Sequence, residues 1–349
     1  MTKGLLLLSG GLDSTLAGRI LLDLGVEIEA LNFTSPFCRC TPKSFGCSAA
    51  RAAAERLGIP VRMVAKGEEY LELVKRPKHG RGSGMNPCLD CRIHAFRKAK
   101  EHMTEIDADF IVTGEVLGQR PMSQHRDAIC LIERESGLEG RIVRPLSAKL
   151  LPPSIPEQEG KVDRDQLLAL QGRSRKAQIM IAEERNIRDY PCPAGGCLLT
   201  DPEFSERMRD LLAYEPEFDL DDARLLSVGR HFRLPGESKC VIGRNEQENA
   251  RLGCPMHLPH TILVPMNIPG PTALLLGTAE NPDIEHAARL IAHYLREKVA
   301  SVVVGVMSSH TNDVSELFKV DSPATEKEVD AWRVSVPSGR IPATRGFQP

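Results

Sequence analysis

Aromatic residues are scarce in this chain of 349 residues: one Trp, four Tyr and ten Phe make up 4% of it. A long stacking platform for single-stranded nucleic acid needs successive exposed rings and is not expected. Bulk charge of one sign is also lacking. Lys and Arg number 45 against 47 Asp and Glu, a net of −2, so any surface for a polyanion has to be local. No apolar run approaches the roughly 18 residues of a membrane span. The first nine residues hold one Lys and four Leu, too little for a signal peptide. A cytosolic location is the expectation. No Gly-Lys-Ser/Thr follows four variable residues and a glycine, so a Walker kinase loop is absent. What remains is an ordinary globular composition, long enough for two to three domains at about 150 residues each.

Cysteine is the exception to this plainness. Ten are present, in a chain expected to sit in a reducing compartment, where structural disulfides are rare. Cys38, Cys40 and Cys47 form one group, Cys88 and Cys91 a C-x-x-C pair, and Cys192 and Cys197 a third group. Cys130, Cys240 and Cys254 stand alone and read as inert packing residues. Clustering of this kind points to metal, cluster or redox chemistry.

The first third alternates short apolar runs with helical periodicity. Strands are predicted at 3–8, 26–33, 61–64 and 110–112, with helices at 13–24, 48–57 and 89–103 between them. That order predicts an α/β fold, a doubly wound parallel sheet covered on both faces. The prolines at 152, 153 and 156 suggest a domain boundary. Helices are predicted at 163–186, broken at Gly172, and at 201–213, capped by Asp201. From about 228 the pattern turns to short strands, with a helix at 282–294 and a final strand at 301–307. The expected domains are therefore 1–150, a helical linker at 151–227 carrying Cys197, a smaller α+β domain at 228–333 and a loose tail at 334–349.

Charge is uneven locally. Residues 75–102 carry eight Lys or Arg against two acids, and residues 141–188 carry ten against six. Residues 203–222 reverse this, with eight acids against two Arg. Each run alone reads as a solvated face. Two basic segments flanking the cysteine pairs suggest an electropositive rim, with Lys75, Arg76, Lys78, Arg81, Arg173, Arg175 and Lys176 as candidate RNA phosphate contacts.

Ser9-Gly10-Gly11-Leu12-Asp13-Ser14 ends the first strand and opens the first helix. Two glycines let the backbone turn tightly, and the helix N-terminus offers unpaired N–H groups and a positive dipole end, which together suit phosphate. Asp13 would repel phosphate unless it capped the helix or held a cation, so Mg²⁺ is implied. The string resembles the signature of the PP-loop ATP pyrophosphatases, which bind ATP on a doubly wound sheet, adenylylate an oxygen and release pyrophosphate. Thr113-Gly114-Glu115, followed by Gly118-Gln119 and Ser123-Gln124, resembles the second nucleotide-side motif of the 4-thiouridine synthetases. The resemblance implies an ATP site formed by Ser9, Gly10, Gly11, Leu12, Asp13, Ser14, Gly114, Gln119 and Ser123. It places Gln119, Ser123 and Gln124 toward the substrate.

Asn86-Pro87-Cys88-Leu89-Asp90-Cys91 opens a basic helix, where a thiol is expected to be more acidic than usual. The segment resembles the Asn-Pro-x-x-x-Cys motif of tRNA 2-thiouridylases, which makes Cys91 the expected catalytic thiol; Cys88 is a departure from that motif. The stretch Gly195-Gly196-Cys197 resembles the loop of the second catalytic cysteine in those enzymes. Three arrangements are open. Cys91 and Cys197 could alternate as nucleophile and persulfide carrier. Cys88, Cys91 and Cys197 could hold a [4Fe–4S] cluster with one open iron. Cys88, Cys91, Cys192 and Cys197 could hold a structural zinc. The spacing of Cys38, Cys40 and Cys47 decides among none of these.

Gly243-Arg244-Asn245-x-x-x-Asn249 resembles the core of the RNA-binding domain of NFACT ribosome-quality-control proteins, and the resemblance extends over about 228–333. Together these features predict an ATP-dependent tRNA sulfurtransferase. Asp13, Cys91 and Cys197 would be its catalytic residues, and tRNA and a persulfide or sulfide donor its partners. The alternatives are PP-loop chemistry on a small molecule and a non-catalytic, zinc-containing RNA-binding protein.

Overall fold

The computed structural model describes the chain except residues 1, 40–47, 189, 191–195, 254–259, 278–280, 298, 309–312 and 337–349. Cys40, Cys47, Cys192 and Cys254 lie outside the described residues. Two compact units form, Met1–Thr200 and Asp201–Pro349.

In the first unit, β1 (Lys3–Leu7), β2 (Glu27–Thr34), β3 (Val61–Ala65), β4 (Phe110–Val112) and β5 (Ile142–Val143) make one sheet in the order β3-β2-β1-β4-β5. Every pairing is parallel. The helices are α1 (Leu12–Asp23), α2 (Ser48–Leu57), α3 (Gly67–Lys75), α4 (Cys88–Glu105), α5 (Arg126–Ser136), α6 (Ile155–Gln158) and α7 (Lys176–Glu184). Period-two alternation sends neighbouring strand residues to opposite faces. Leu6, Ile28, Ala30, Phe110 and Val112 meet α1 and α2 in one core. Leu5, Leu31 and Ile111 meet Phe96 and Ala99 of α4 and Ile132 of α5 in another. The predicted doubly wound sheet is thus formed, with helices on both faces. Ile142–Val143 was too short a run to read as a strand.

The prolines at 152–156 do not end this unit. Pro156 sits inside α6, where Glu157 accepts from the N–H of the N-cap Ser154 at 2.7 Å. Leu168 and Leu170 N–H groups donate to the Pro145 and Leu146 carbonyls, and Ala182 of α7 joins the core around α1. The expected long helix at 163–186 is replaced by a 3₁₀ turn, Arg164–Gln166, an extended stretch and the short α7. Gly172, the expected break, has φ +84°, outside the helical region.

In the second unit, α8 (Pro202–Tyr214) begins at the predicted cap, Asp201, whose side chain accepts from the Phe204 N–H. α9 (Leu220–Leu225) follows. An antiparallel sheet then forms from β6 (Arg230–Arg233), β7 (Lys239–Ile242), β8 (His260–Pro265), β9 (Ala273–Leu276), β10 (Val302–Ser308) and β11 (Val314–Val320), in the order β11-β10-β8-β9-β7-β6. One face packs on α11 (Asn281–His293). The other is covered by residues of α9 and α10 (Glu246–Leu252). The strand at 302–308 is not the last, as expected, because β11 and then α12 (Glu326–Trp332) follow it. β11 escapes a sequence reading because it lies mostly exposed, so its residues do not alternate. Among the described residues no helix is long and apolar enough to cross a membrane.

Candidate active site

Because the first sheet is wholly parallel, every strand delivers its chain to the same carboxyl edge. The strand order reverses between β1 and β4, where open α/β sheets bind ligands. The phosphate loop follows β1 there, and Thr113-Gly114 follows β4. Gly10 has φ +77°, and a Cβ on it would lie 2.3 Å from the Ala49 carbonyl carbon. A Cβ on Gly114 would lie 2.4 Å from the Asp13 carbonyl carbon and 2.5 Å from the Ser14 nitrogen. Gly114 therefore has to be glycine for the two loops to touch, and Gly10 for the phosphate loop to pack on the start of α2.

Within the loop, Ser9 and Ser14 hydroxyls lie 3.0 Å apart, and Ser14 and Thr15 hydroxyls donate to the Gly11 carbonyl. Gly11 is the N-cap of α1 and Leu12 its first residue; no side chain caps the helix. Asp13 is therefore not the cap. Gln119 Nε2 donates to its Oδ2 at 2.8 Å, and an Arg175 guanidinium nitrogen lies 3.6 Å from the same oxygen. Gln178 in turn donates to Gln119 at 3.0 Å. Asp13 Oδ1 is buried without a hydrogen-bond partner. An orphaned carboxylate oxygen beside a phosphate loop fits a divalent cation, which takes such oxygens as ligands. Ser123 and Gln124 are buried in the turn that closes on Gly118, whose N–H donates to the Gln124 carbonyl, so of the three residues expected toward the substrate only Gln119 reaches the loop.

The thiols gather off the β2 and β3 ends of the same edge. Cys88 and Cys91 occupy the first turn of α4. Lys66, the residue after β3, donates from Nζ to Cys91 Sγ at 2.8 Å and lies 4.5 Å from the Tyr70 ring centre. Burial pulls the Cys91 thiol up, but the Lys66 ammonium, hydrogen bonds from Lys66 and Tyr70, and Arg92 outweigh it and leave Cys91 more acidic than an ordinary thiol. Cys88 is raised by burial despite the Asn86 amide that donates to it at 3.1 Å. Cys197 is pushed up to about 12, first by burial, with Cys91, Cys38 and Cys88 adding to it. One cluster thus holds one activated thiol and two neutral ones.

Cys197 is placed by two backbone bonds: Leu198 N–H donates to the Phe37 carbonyl, and Met85 N–H to the Leu199 carbonyl. Cys38 lies opposite Cys197 in an antiparallel bridge. Tyr70 is buried and raised well above its ordinary value, by burial first and then by the charges of Cys91, Cys197 and Cys38. Lys66, Tyr70 and Cys38 were not singled out together from the sequence. The available signal was position: Lys66 immediately follows a strand carboxyl end.

The expected cluster ligands Cys88, Cys91 and Cys197 are brought together. Among the described residues, however, no three His, Cys, Asp or Glu side chains are arranged to hold a metal ion. Cys91 is instead engaged by an ammonium and a phenol. As they stand, the described thiols do not form a metal-ligand set, and zinc with Cys192 involves a position outside the described residues.

A chain of three ion pairs through Glu115 ties the thiol helix to the nucleotide side. Arg92, next to Cys91, and Arg144 both bind Glu115, and Arg144 also binds Glu133. Part of the expected basic rim is structural. Lys75 is buried on Glu72, and Arg81 donates to the Val74 and Lys75 carbonyls, closing α3. Arg175 faces Asp13. Arg76, Lys78, Arg173 and Lys176 stay exposed, Lys78 paired with Glu135 and Arg76 with Glu72.

In the second unit the Gly-Arg-Asn motif is explained by packing. Asn249 Oδ1 accepts from the Thr272 N–H, and a Cβ on Gly243 would lie 2.0 Å from that oxygen. Asn245 caps α10 by accepting from the Glu248 N–H, and Glu248 holds Arg244.

Residues 1–149 match the family model described as thiamine biosynthesis protein (ThiI), and residues 229–333 match that of the NFACT protein RNA binding domain. Both resemblances noted in the sequence are thereby met. A probable tRNA sulfurtransferase of Staphylococcus aureus is 36% identical over 119 residues, which are 34% of this chain and 28% of the relative. The chain thus matches little more than a quarter of that relative's length. Among solved structures, a 4-thiouridine synthetase–RNA complex with bound ATP is 22% identical, covering 64% of this chain and 52% of that one, with a TM-score of 0.34. The U34-tRNA thiolase NcsA from Methanococcus maripaludis, with its [4Fe–4S] cluster, is 19% identical, covering 64% and 70%, with a TM-score of 0.32.

Proposed function

We propose that the chain is an ATP-dependent tRNA sulfurtransferase that replaces a uridine carbonyl oxygen with sulfur. The observation that carries this reading is that the phosphate loop and the activated Cys91 lie on the same carboxyl edge of one parallel sheet, joined by the Arg92–Glu115–Arg144 network. The matched RNA-binding domain and the named sulfurtransferase relative support RNA as the substrate class.

ATP binds with its phosphates on the Ser9–Ser14 backbone. Mg²⁺, held with Asp13 Oδ1, would supply charge neutralisation there. The uridine oxygen attacks the α-phosphorus, and pyrophosphate leaves. Cys91, made more acidic by Lys66, attacks the outer sulfur of a persulfide donor as its thiolate; the new S–S bond forms on Cys91, the donor's S–S bond breaks and the donor leaves as a thiolate. The outer sulfur now on Cys91 attacks the activated carbon, and AMP leaves. The uridine remains linked to Cys91 through a disulfide until a second thiol, Cys197, attacks Cys91 Sγ and releases the thiolated base.

The test is product analysis. AMP and pyrophosphate should form only when tRNA is present, and Asp13→Ala should abolish this without unfolding the chain. ADP and orthophosphate as products would contradict the reading. Metal analysis of anaerobically purified protein tests the sulfur carrier separately: about four irons per chain would replace the persulfide by a cluster.

A further inference from the structure

Cys38 has no part in the chemistry above, yet the fold places it directly against Cys197. The two residues are opposite each other in an antiparallel bridge, and the neighbouring Leu198 N–H donates to the Phe37 carbonyl. Cys38 and Cys197 are therefore a pair that does not exchange its own backbone bonds, the kind whose Cα atoms approach to about 4.5 Å with side chains close. That spacing lies within the range of roughly 4.4–6.8 Å that a disulfide spans. In this structure both are thiols, and Ser35 Oγ lies 3.4 Å from Cys38 Sγ. Each segment is fixed independently. Cys38 lies four residues beyond β2, next to the fully buried Phe37, and Cys197 is held from the other side by the Met85 N–H.

We propose that Cys38 is the thiol-exchange partner of Cys197, taking over the disulfide that sulfur delivery leaves between Cys197 and Cys91. The inference rests on the persulfide route proposed above. Release of the thiolated base leaves a Cys91–Cys197 disulfide. The Cys38 thiolate attacks Cys197 Sγ; the Cys38–Cys197 bond forms and the Cys91–Cys197 bond breaks. The electron pair leaves on Cys91 Sγ, where the Lys66 ammonium at 2.8 Å receives the charge. The Cys38 proton goes to solvent. Nothing is oxidised overall in this step: one disulfide replaces another. Cys91 is then ready for the next sulfur, while an external dithiol reduces the Cys38–Cys197 bond by two further exchanges. The ammonium decides the direction of the exchange, since a stabilised thiolate leaves fastest.

The experiment uses the full chain. Reduced protein is equilibrated anaerobically in graded ratios of oxidised to reduced glutathione, alkylated and digested, and its linked peptides are identified by mass spectrometry. A Cys38–Cys197 link is expected in the wild type and in Cys91→Ser. A Cys91–Cys197 link is expected to accumulate in Cys38→Ser. With tRNA, ATP and a persulfide donor, Cys38→Ser should give one burst of product and then a steady rate about tenfold below wild type. Linkage of Cys38 only to other cysteines, or a wild-type steady rate in Cys38→Ser, would overturn the proposal. If the wild type releases no AMP with tRNA, the sulfurtransferase reading fails, and the peptide map still decides the Cys38–Cys197 pair.

Discussion

Lys66 Nζ donates to Cys91 Sγ at 2.8 Å across 25 residues of chain. One end of this contact is set by β3, which stops at Ala65, and the other by the first turn of α4. Burial alone would make Cys91 a poor nucleophile; the ammonium reverses this. In Lys66→Met the burial stays and the compensation goes. The pH at which Cys91 is half-maximally alkylated by iodoacetamide, followed on its own peptide, should lie below that of an ordinary thiol in the wild type. In the variant it should move above that value. Lys66→Arg should keep part of the effect. An unchanged profile in Lys66→Met would remove Lys66 from the site.

Gly114→Ala tests whether the β4 loop and the phosphate loop need backbone contact. The added methyl carbon would stand 2.4 Å from the Asp13 carbonyl carbon, where no side chain can move aside. The loop must shift, at a cost of about 1–3 kcal/mol in a packed site. Nucleotide affinity, measured by calorimetry, should be lost together with part of the thermal stability. Gly11→Ala, whose methyl meets only Ser9 Oγ at 3.5 Å, should lose much less. Equal affinities in the two variants would mean that nucleotide does not use this loop.

The division between what the sequence foretells and what it hides follows from range. The phosphate loop is legible because its requirements are local: a strand, two glycines and a helix start lie within one turn. Cys91 is legible from its helix N-terminus. Lys66 and Cys38 are not, because each acquires its role only when parallel strands bring distant loops to one edge. The Asp13–Gln119–Gln178 chain spans α1, the β4 loop and α7 and is likewise a product of packing. The prolines near 152 mislead for the opposite reason. Locally they signal a break, but Pro156 is accommodated in the first turn of α6, where its missing N–H costs nothing. In the second unit, Gly243, Asn245 and Asn249 carry a recognisable pattern because each has a fixed backbone task.

Glu115 is buried between two guanidinium groups. Burial pushes its carboxyl up, and Arg92 and Arg144 more than reverse this, so it stays ionised below the ordinary Glu range. A folded pKa below the unfolded one stabilises the protein above the unfolded value, and the gain is lost as pH falls through the folded value. Glu115→Gln leaves the buried Arg144 and the partly exposed Arg92 short of a partner, at a cost of about 3–5 kcal/mol. The urea midpoint at neutral pH should drop accordingly. As pH falls through the acid range the gap between wild type and variant should close, because the wild type then protonates the same group. A gap independent of pH would mean that packing, not charge, holds this junction.

The exposed basic residues give the RNA prediction its discriminating form. Arg76, Arg173 and Lys176 project into solvent from the first unit. Lys75 and Arg81 belong to the same run of sequence but are used internally, on Glu72 and on the carbonyls that end α3. If the exposed group contacts tRNA phosphates, binding releases counterions, and log affinity falls with log salt. Each lost contact should flatten that slope by about 0.7–0.9. The triple variant with Arg76, Arg173 and Lys176 changed to Gln should bind tRNA more weakly at low salt, with a slope reduced by about 2–3. Its melting temperature should match the wild type. Lys75→Gln and Arg81→Gln should do the reverse, lowering the melting temperature and leaving the salt slope of the folded protein alone. A triple variant whose slope is unchanged would make this face an ordinary solvated one and move the RNA contacts elsewhere.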